Sequence, residues 1–274
     1  MVSPKSVRRI ILDQSRRANV GHIGSCLCVV EILSALYGTI LRRKSIDDPD
    51  RDRFILSKGH AGLALYAVLA LTGDLMPQDL DTFCGDDSVL GVHPEAIVPG
   101  VDFSTGSLGH GLSIATGAAL AAKMRRSERR VFCLMSDAEC NEGAIWEAAM
   151  FASHHKLDNL HAIIDWNSQQ AMGRTRDVLD DSNLRERWAS FGWRVSEVDG
   201  HSLADLVRAL SEPSTLQAPH LVLARTVFGR GVSFMEEGRS IAHANLPIHP
   251  INWHYLPMSA GEYQAALDEL ESSR

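Results

Sequence analysis

Two stretches place acidic and amide side chains directly after apolar runs. Val131 to Met135 lead into Ser136-Asp137-Ala138-Glu139-Cys140-Asn141-Glu142, and Leu160 to Ile164 lead into Asp165-Trp166-Asn167-Ser168-Gln169. A carboxylate, an amide oxygen and a loop carbonyl are hard donors of the kind Mg²⁺ takes, with waters and ligand phosphates completing its shell. A helix starting near Glu142 would add an N-terminal dipole that favours anions. Taken singly, Asp137 reads better as a helix cap and Asn167 as a turn residue. Their spacing of 30 residues (167 − 137) is about one βαβ unit. Both can therefore emerge on one sheet edge, where ligands of such folds gather, and the pairing favours a cation.

The elements that must position these groups follow from periodicity. Ser3 and Pro4 open a helix over 3–18. A more apolar helix follows over 26–41, then a charged connection over 43–53, a short strand FILS (54–57), and a buried helix over 59–73 ended by Gly73. Residues 74–105 are irregular and rich in Asp, Gly and Pro, a length that marks a functional loop. GSLGHG (106–111) precedes an Ala-rich helix over 112–124. A strand over 130–135, a helix over 142–156, a strand over 160–166, RVSEVDG (194–200), a helix over 202–211 and HLVLART (220–226) continue the alternation. Ser259 with Glu262 forms a capping box for the last helix. Short apolar runs alternating with helices predict an α/β fold, a parallel sheet with helices on both faces. No repeat or linker divides the chain, so 1–274 reads as one domain.

Composition narrows the function. The chain has 274 residues, is 45% hydrophobic and carries a net charge of −7. No basic stretch interleaved with aromatics supports nucleic-acid binding. No apolar window approaches the roughly 20 residues of a membrane helix, and the first residues lack a signal-peptide run. Five cysteines without C-x-x-C spacing give no zinc pattern and fit a reduced, cytoplasmic protein. No G-x-G-x-x-G follows the first strand, which argues against a nicotinamide dehydrogenase.

The Asp137…Asn167 pair resembles the thiamin diphosphate motif, and the nearest likeness is the transketolase family. GHIGS (21–25), SKGHA (57–61), GVHPE (91–95), TGSLGHG (105–111), SDAECNEGAIWEA (136–148), DWNSQQAMGRT (165–175) and GRGVSFME (229–236) follow in that family's order. Seven ordered segments are specific where any one alone would be weak. The likeness covers nearly the whole chain but only the family's pyrophosphate-binding part. It implies the thiamin diphosphate-binding fold and the N-terminal subunit of a split transketolase. Its partner would be a separate C-terminal, pyrimidine-binding subunit in an α2β2 assembly. The implied reaction transfers a two-carbon ketol unit from a ketose to an aldose, sugars or sugar phosphates, with thiamin diphosphate and Mg²⁺ as cofactors.

The resemblance also implies roles. Asp137, Asn167 and the backbone carbonyl of Gln169 would hold the metal. His60, Gly106, Ser107, Leu108 and Ala138 would meet the cofactor. His22 and His93 would face the sugar, His243 would serve cofactor and substrate oxygens, and Glu142 would lie between active sites. Histidines suit proton movement at sugar oxygens near neutral pH. His154 and His155, predicted mid-helix, carry no partner pattern and read as structural.

The chain departs from the family at four places. Ser136-Asp137-Ala138 replaces Gly-Asp-Gly, which would be costly if position 138 needs φ > 0. His110 replaces a Gln, Met172 a common Asp, and Ile23 a frequent Pro. Two alternatives remain: another thiamin diphosphate-dependent carbon–carbon lyase or ligase, and a non-catalytic scaffold subunit, for which Ala138 is the sole hint.

Overall fold

The computed structural model describes residues 2–212, 216–236 and 252–272. Its centre is a five-stranded parallel sheet of β1 (Arg53–Leu56), β2 (Val131–Ser136), β3 (Leu160–Trp166), β6 (Arg194–Asp199) and β7 (His220–Arg225), ordered β1-β2-β3-β7-β6. A two-stranded antiparallel ribbon, β4 (Gln169–Gln170) and β5 (Gly173–Arg174), follows β3. The order is sequential from β1 to β3. The chain then crosses to the far edge for β6 and returns to place β7 beside β3.

The pleat explains why the strands read as unbroken apolar runs. Phe132 and Leu134 of β2 pack into one buried cluster, while Val131, Cys133 and Met135 pack into another on the opposite face. Val222 and Ala224 of β7 divide from Leu221 and Leu223 in the same way. A parallel sheet covered on both faces must present apolar residues at every position. Edge strand β6 escapes this, with partly exposed Ser196 and exposed Glu197.

Most expected elements stand where periodicity placed them. The first helix runs Pro4–Ala18, with the Ser3 hydroxyl accepting from the Ser6 amide at 3.5 Å. The last runs Ala260–Ser272, with Ser259 and Glu262 exchanging the two bonds of a capping box. The expected helix over 26–41 is instead broken into Ile23–Leu27, Val30–Ala35 and a π turn at Leu36–Ile40. Taken as a whole, Ile23–Ile40 is 18 residues long with mean hydropathy 1.8, so one window does approach a membrane span in length and composition. It is 83% buried within the fold, and its apolar character serves the core. The 74–105 segment is irregular apart from a turn of helix at Pro77–Leu80. Short helices at Thr175–Val178, Leu184–Ser190 and Asn252–Tyr255 were not anticipated, because none is long enough to show a period.

Candidate functional site

Three strands, β1, β2 and β3, deliver their carboxyl ends to one cleft. Register pairs Ser136 of β2 with Asp165 of β3, so the residues that follow, Asp137 and the 167–169 loop, meet directly. The Asp137 Oδ2 accepts from the Ser168 amide at 3.0 Å and from the Thr175 hydroxyl at 2.9 Å. Its Oδ1 accepts from the Ala138 amide at 2.9 Å. The side chain is fully buried, and no ion pair reaches it among the described residues. Burial, then the nearby Asp165 charge, push its carboxyl up to about 7 against the hydrogen bonds from Thr175 and Ala138. A buried carboxylate so short of positive charge is the electrostatic partner a divalent cation needs. With the Asn167 amide and the Gln169 carbonyl on the adjoining loop, the donor set fits Mg²⁺.

Ala138 begins a short 3₁₀ turn (Ala138–Asn141) and is not among the residues with positive φ. Its methyl therefore carries no backbone strain, and the cost feared at that position is absent. Glu139, which lacked a role in the sequence, is buried beneath the glycine loop. It accepts from the Ser136 amide at 2.9 Å, the Gly109 amide at 3.0 Å and the Ser57 hydroxyl. Gly109 has φ +82°, and a Cβ there would meet the Glu142 side chain at 2.7 Å. The loop thus needs glycine twice over, for conformation and for space.

Above this floor lies a cavity of about 690 Å³, a volume suited to a cofactor-sized ligand. His22, His60, His93, Gly106, Leu108, Ala138, Glu142, Asn167 and Gln169 all border it. Ser107 does not. It opens with His110 on a neighbouring cavity of about 400 Å³, which His93 and Gly106 also border. Glu142 is exposed and sits at the N-cap of the helix Gly143–His154 without a capping bond. His243 lies outside the described residues.

The cleft also contains His254, on the short helix Asn252–Tyr255. Its ring lies 5.4 Å from those of both His22 and His60, and His22 and His60 stand 5.5 Å apart. Buried Trp253, against Phe234 at 5.4 Å, anchors the helix, and Phe228 stacks on His254 at 6.1 Å. The only sequence signal was a tryptophan directly before a histidine, which has no periodicity to support it. Burial lowers the imidazoles of His22, His60 and His254, the last to about 4, with Lys58 and neighbouring histidines adding to the effect. All three are therefore neutral near pH 7, each with one donor and one acceptor nitrogen. His22 has φ +60°, unusual for a side chain of its size, and its Nδ1 is buried without a hydrogen-bond partner among the described residues. Sequence reasoning also passed over Lys58, Asp165 and Tyr255. Lys58 and Tyr255 border the cavity, and the fully buried Asp165 pairs with Lys58 at 2.5 Å. The Asp165 carboxylate, against the effect of burial, holds the Lys58 ammonium above its usual range. His154 ends its helix and His155 packs on Phe151 at 4.2 Å, both away from the cleft.

Known proteins share this sequence and fold. Residues 2–251 match the family model described as transketolase, thiamine diphosphate binding domain. The chain is 40% identical over 266 residues to an apulose-4-phosphate transketolase subunit of Phocaeicola vulgatus, covering 96% of this chain and 90% of that protein. It is 37% identical over 269 residues to a 6-deoxy-6-sulfo-D-fructose transketolase subunit of a Clostridium species, covering 97% and 94%. The solved transketolase of Campylobacter jejuni superposes with a TM-score of 0.87 at 29% identity, over 98% of this chain and 42% of that one. The chain thus spans about two fifths of that solved transketolase and nearly all of the two bacterial subunits. With the acidic floor, the glycine loop and the histidine-lined cleft all on its carboxyl edge, this chain belongs to the transketolase thiamine diphosphate-binding domain family.

Proposed function

We propose that the chain is the N-terminal, pyrophosphate-binding subunit of a two-chain transketolase that moves a two-carbon ketol unit from a ketose to an aldose. The observation that carries this reading is the cluster of three imidazoles, His22, His60 and His254, bordering one cavity with Ala138, Asn167 and Gln169, beside the fully buried Asp137 carboxylate. Thiamin diphosphate, when bound, supplies the nucleophilic carbon and electron sink that let the bond beside a ketose carbonyl break. Asp137, Asn167 and the Gln169 carbonyl would hold Mg²⁺, which would supply positive charge for the pyrophosphate. Gly106, Leu108 and Ala138, which line the cavity, would border the cofactor. His22, His93 and His254 donate to and accept from sugar hydroxyls and move protons at those oxygens, and His60 would meet the cofactor. His254 joins the histidines that the sequence assigned to the cleft.

The partner is a separate pyrimidine-binding subunit, in an α2β2 assembly with Glu142 near the junction between sites. Relatives named for apulose-4-phosphate and a sulfo-fructose support an anionic ketose as substrate. All five cysteines are free thiols, which supports a reducing, cytoplasmic setting. The scaffold alternative loses its one hint, because Ala138 is unstrained. The test is co-expression with a pyrimidine-binding subunit, purification through a tag on this chain, and assay of ketol transfer from a ketose phosphate. Transfer that requires thiamin diphosphate and Mg²⁺ is expected. A co-purified pair that binds neither cofactor overturns the reading.

A further inference from the structure

Asn167 can present either of two ends to a cation, and only one of them binds it. An amide oxygen is a ligand for a hard divalent ion, and the NH₂ at the other end is a donor with nothing to offer it. What decides the orientation lies behind the side chain. The Asn167 Nδ2 donates to Asp165 Oδ2 at 2.7 Å and approaches the Cys28 sulfur at 3.6 Å. The Asn167 Oδ1 is left on the loop side, where it accepts from the Gln169 amide at 2.9 Å. An ionised carboxylate only accepts, so an amide beside it must turn its nitrogen inward.

Asp165 is itself held from every direction. Lys58 donates to Oδ2 at 2.5 Å and the Cys28 thiol to the same oxygen at 3.1 Å. The Thr226 hydroxyl donates to Oδ1 at 2.5 Å. These partners come from the ends of β1 and β7 and from the residue after the helix Ile23–Leu27, so the carboxylate has no freedom to rotate. Lys58 brings a positive charge to the fully buried Asp165 carboxylate at 2.5 Å.

We propose that Asp165 is a positioning residue. It fixes the Asn167 amide with oxygen toward the Asp137 side and so determines whether the site accepts a divalent cation. This rests on the reading of Asp137, Asn167 and Gln169 as the metal ligands. The competing account is that Asp165 merely neutralises Lys58.

The test titrates Mn²⁺ into the two-subunit complex with saturating thiamin diphosphate, and follows the free ion by electron paramagnetic resonance. Asp165→Asn is expected to weaken Mn²⁺ binding 10- to 100-fold, the usual effect of losing a residue that orients a ligand. Adding Asn167→Asp to that variant should restore at least tenfold, because a carboxylate has no wrong end. The same Asn167→Asp change with Asp165 intact should weaken binding, because two carboxylates then face each other. That reversal of sign is foreign to a charge-balancing role. If Asp165→Asn does not fold, Lys58→Met/Asp165→Asn removes both charges of the pair, and the comparison with and without Asn167→Asp is made there. Mn²⁺ affinity within threefold of the unaltered complex in a folded Asp165→Asn variant, or no recovery with Asn167→Asp, overturns the inference alone. Absence of Mn²⁺ binding by the unaltered complex overturns the cofactor reading and the inference together.

Discussion

The backbone amide of His22 donates to the carbonyl of His254 at 3.1 Å, and their rings meet edge to face at 5.4 Å. The first helical segments after residue 20 and a single helical turn at 252–255 are thereby joined at the cleft. His254 faces the same volume as His60, with a neutral ring and Ser25 at 3.4 Å from its Nδ1. His254→Ala is expected to lower ketol transfer by about 10²- to 10⁴-fold, the span typical of a general acid–base group. Thiamin diphosphate affinity should fall far less. Steady-state kinetics beside calorimetric cofactor binding checks this, and transfer within threefold of the unaltered enzyme contradicts the assignment.

Removal of the Asp137 carboxylate should separate cofactor binding from folding. Asp137→Ala leaves the Ser168 amide and Thr175 hydroxyl without an acceptor, at a cost of about 1–3 kcal/mol. It also relieves a buried charge that nothing described pairs with, which offsets that cost. Mg²⁺-dependent thiamin diphosphate binding is expected to vanish, while the melting temperature of the cofactor-free complex moves by only a few degrees. Retained cofactor affinity would show that Asp137 is not a metal ligand.

Ala138 offers the opposite test. Its backbone is ordinary, so Ala138→Gly adds freedom to the unfolded chain without easing the folded one. The change should destabilise by about 0.4–1 kcal/mol, with cofactor affinity unchanged. A glycine variant that binds thiamin diphosphate more than tenfold tighter would mean that the alanine methyl obstructs the pyrophosphate.

Gly21 supports the histidine cluster by leaving room behind it. A Cβ at that position would lie 2.3 Å from the Tyr255 carbonyl oxygen, a contact that backbone must move to avoid. Gly21→Ala is expected to displace the turn that carries His254, costing about 1–3 kcal/mol in urea denaturation as overpacking does. Catalysis should drop with it. An alanine variant of full stability and full activity would show that the turn shifts without penalty.

A pH dependence arises on the opposite edge of the sheet. His161 and His220 are register partners across β3 and β7, with ring centroids 5.8 Å apart. Burial lowers both imidazoles to about 3, reinforced at His161 by Arg130 and at both by Arg194. A histidine so depressed stays neutral when folded, while the unfolded chain takes up protons below about pH 6.5. Stability is therefore full above pH 6.5 and is lost as the pH falls toward 3. At pH 5 the loss is about 2 kcal/mol for each histidine. Urea titrations at pH 7 and pH 5 should show it, and His161→Gln should shrink the difference. An undiminished difference in that variant would place the protons elsewhere.

What local pattern could show, the sequence determined. Apolar runs of strand length mark β1, β2, β3 and β7 because each is buried on both faces and has no polar position to spare. Ser3 and Ser259 mark helix starts because capping is satisfied within a few residues. Asp137 and Asn167 were legible because consecutive parallel strands end on one edge, so spacing alone brought them together. His254, Asp165 and Lys58 were not legible as a group. The parallel sheet brings residues from the ends of β1 and β3 to the same point, and Trp253 packing swings a short turn over it. No periodicity encodes such a meeting, since each member sits at the end of its own element. Only the crossing that inserts β7 beside β3, and the close packing it permits, decided that Asp165 stands behind Asn167 and that Thr226 holds it there.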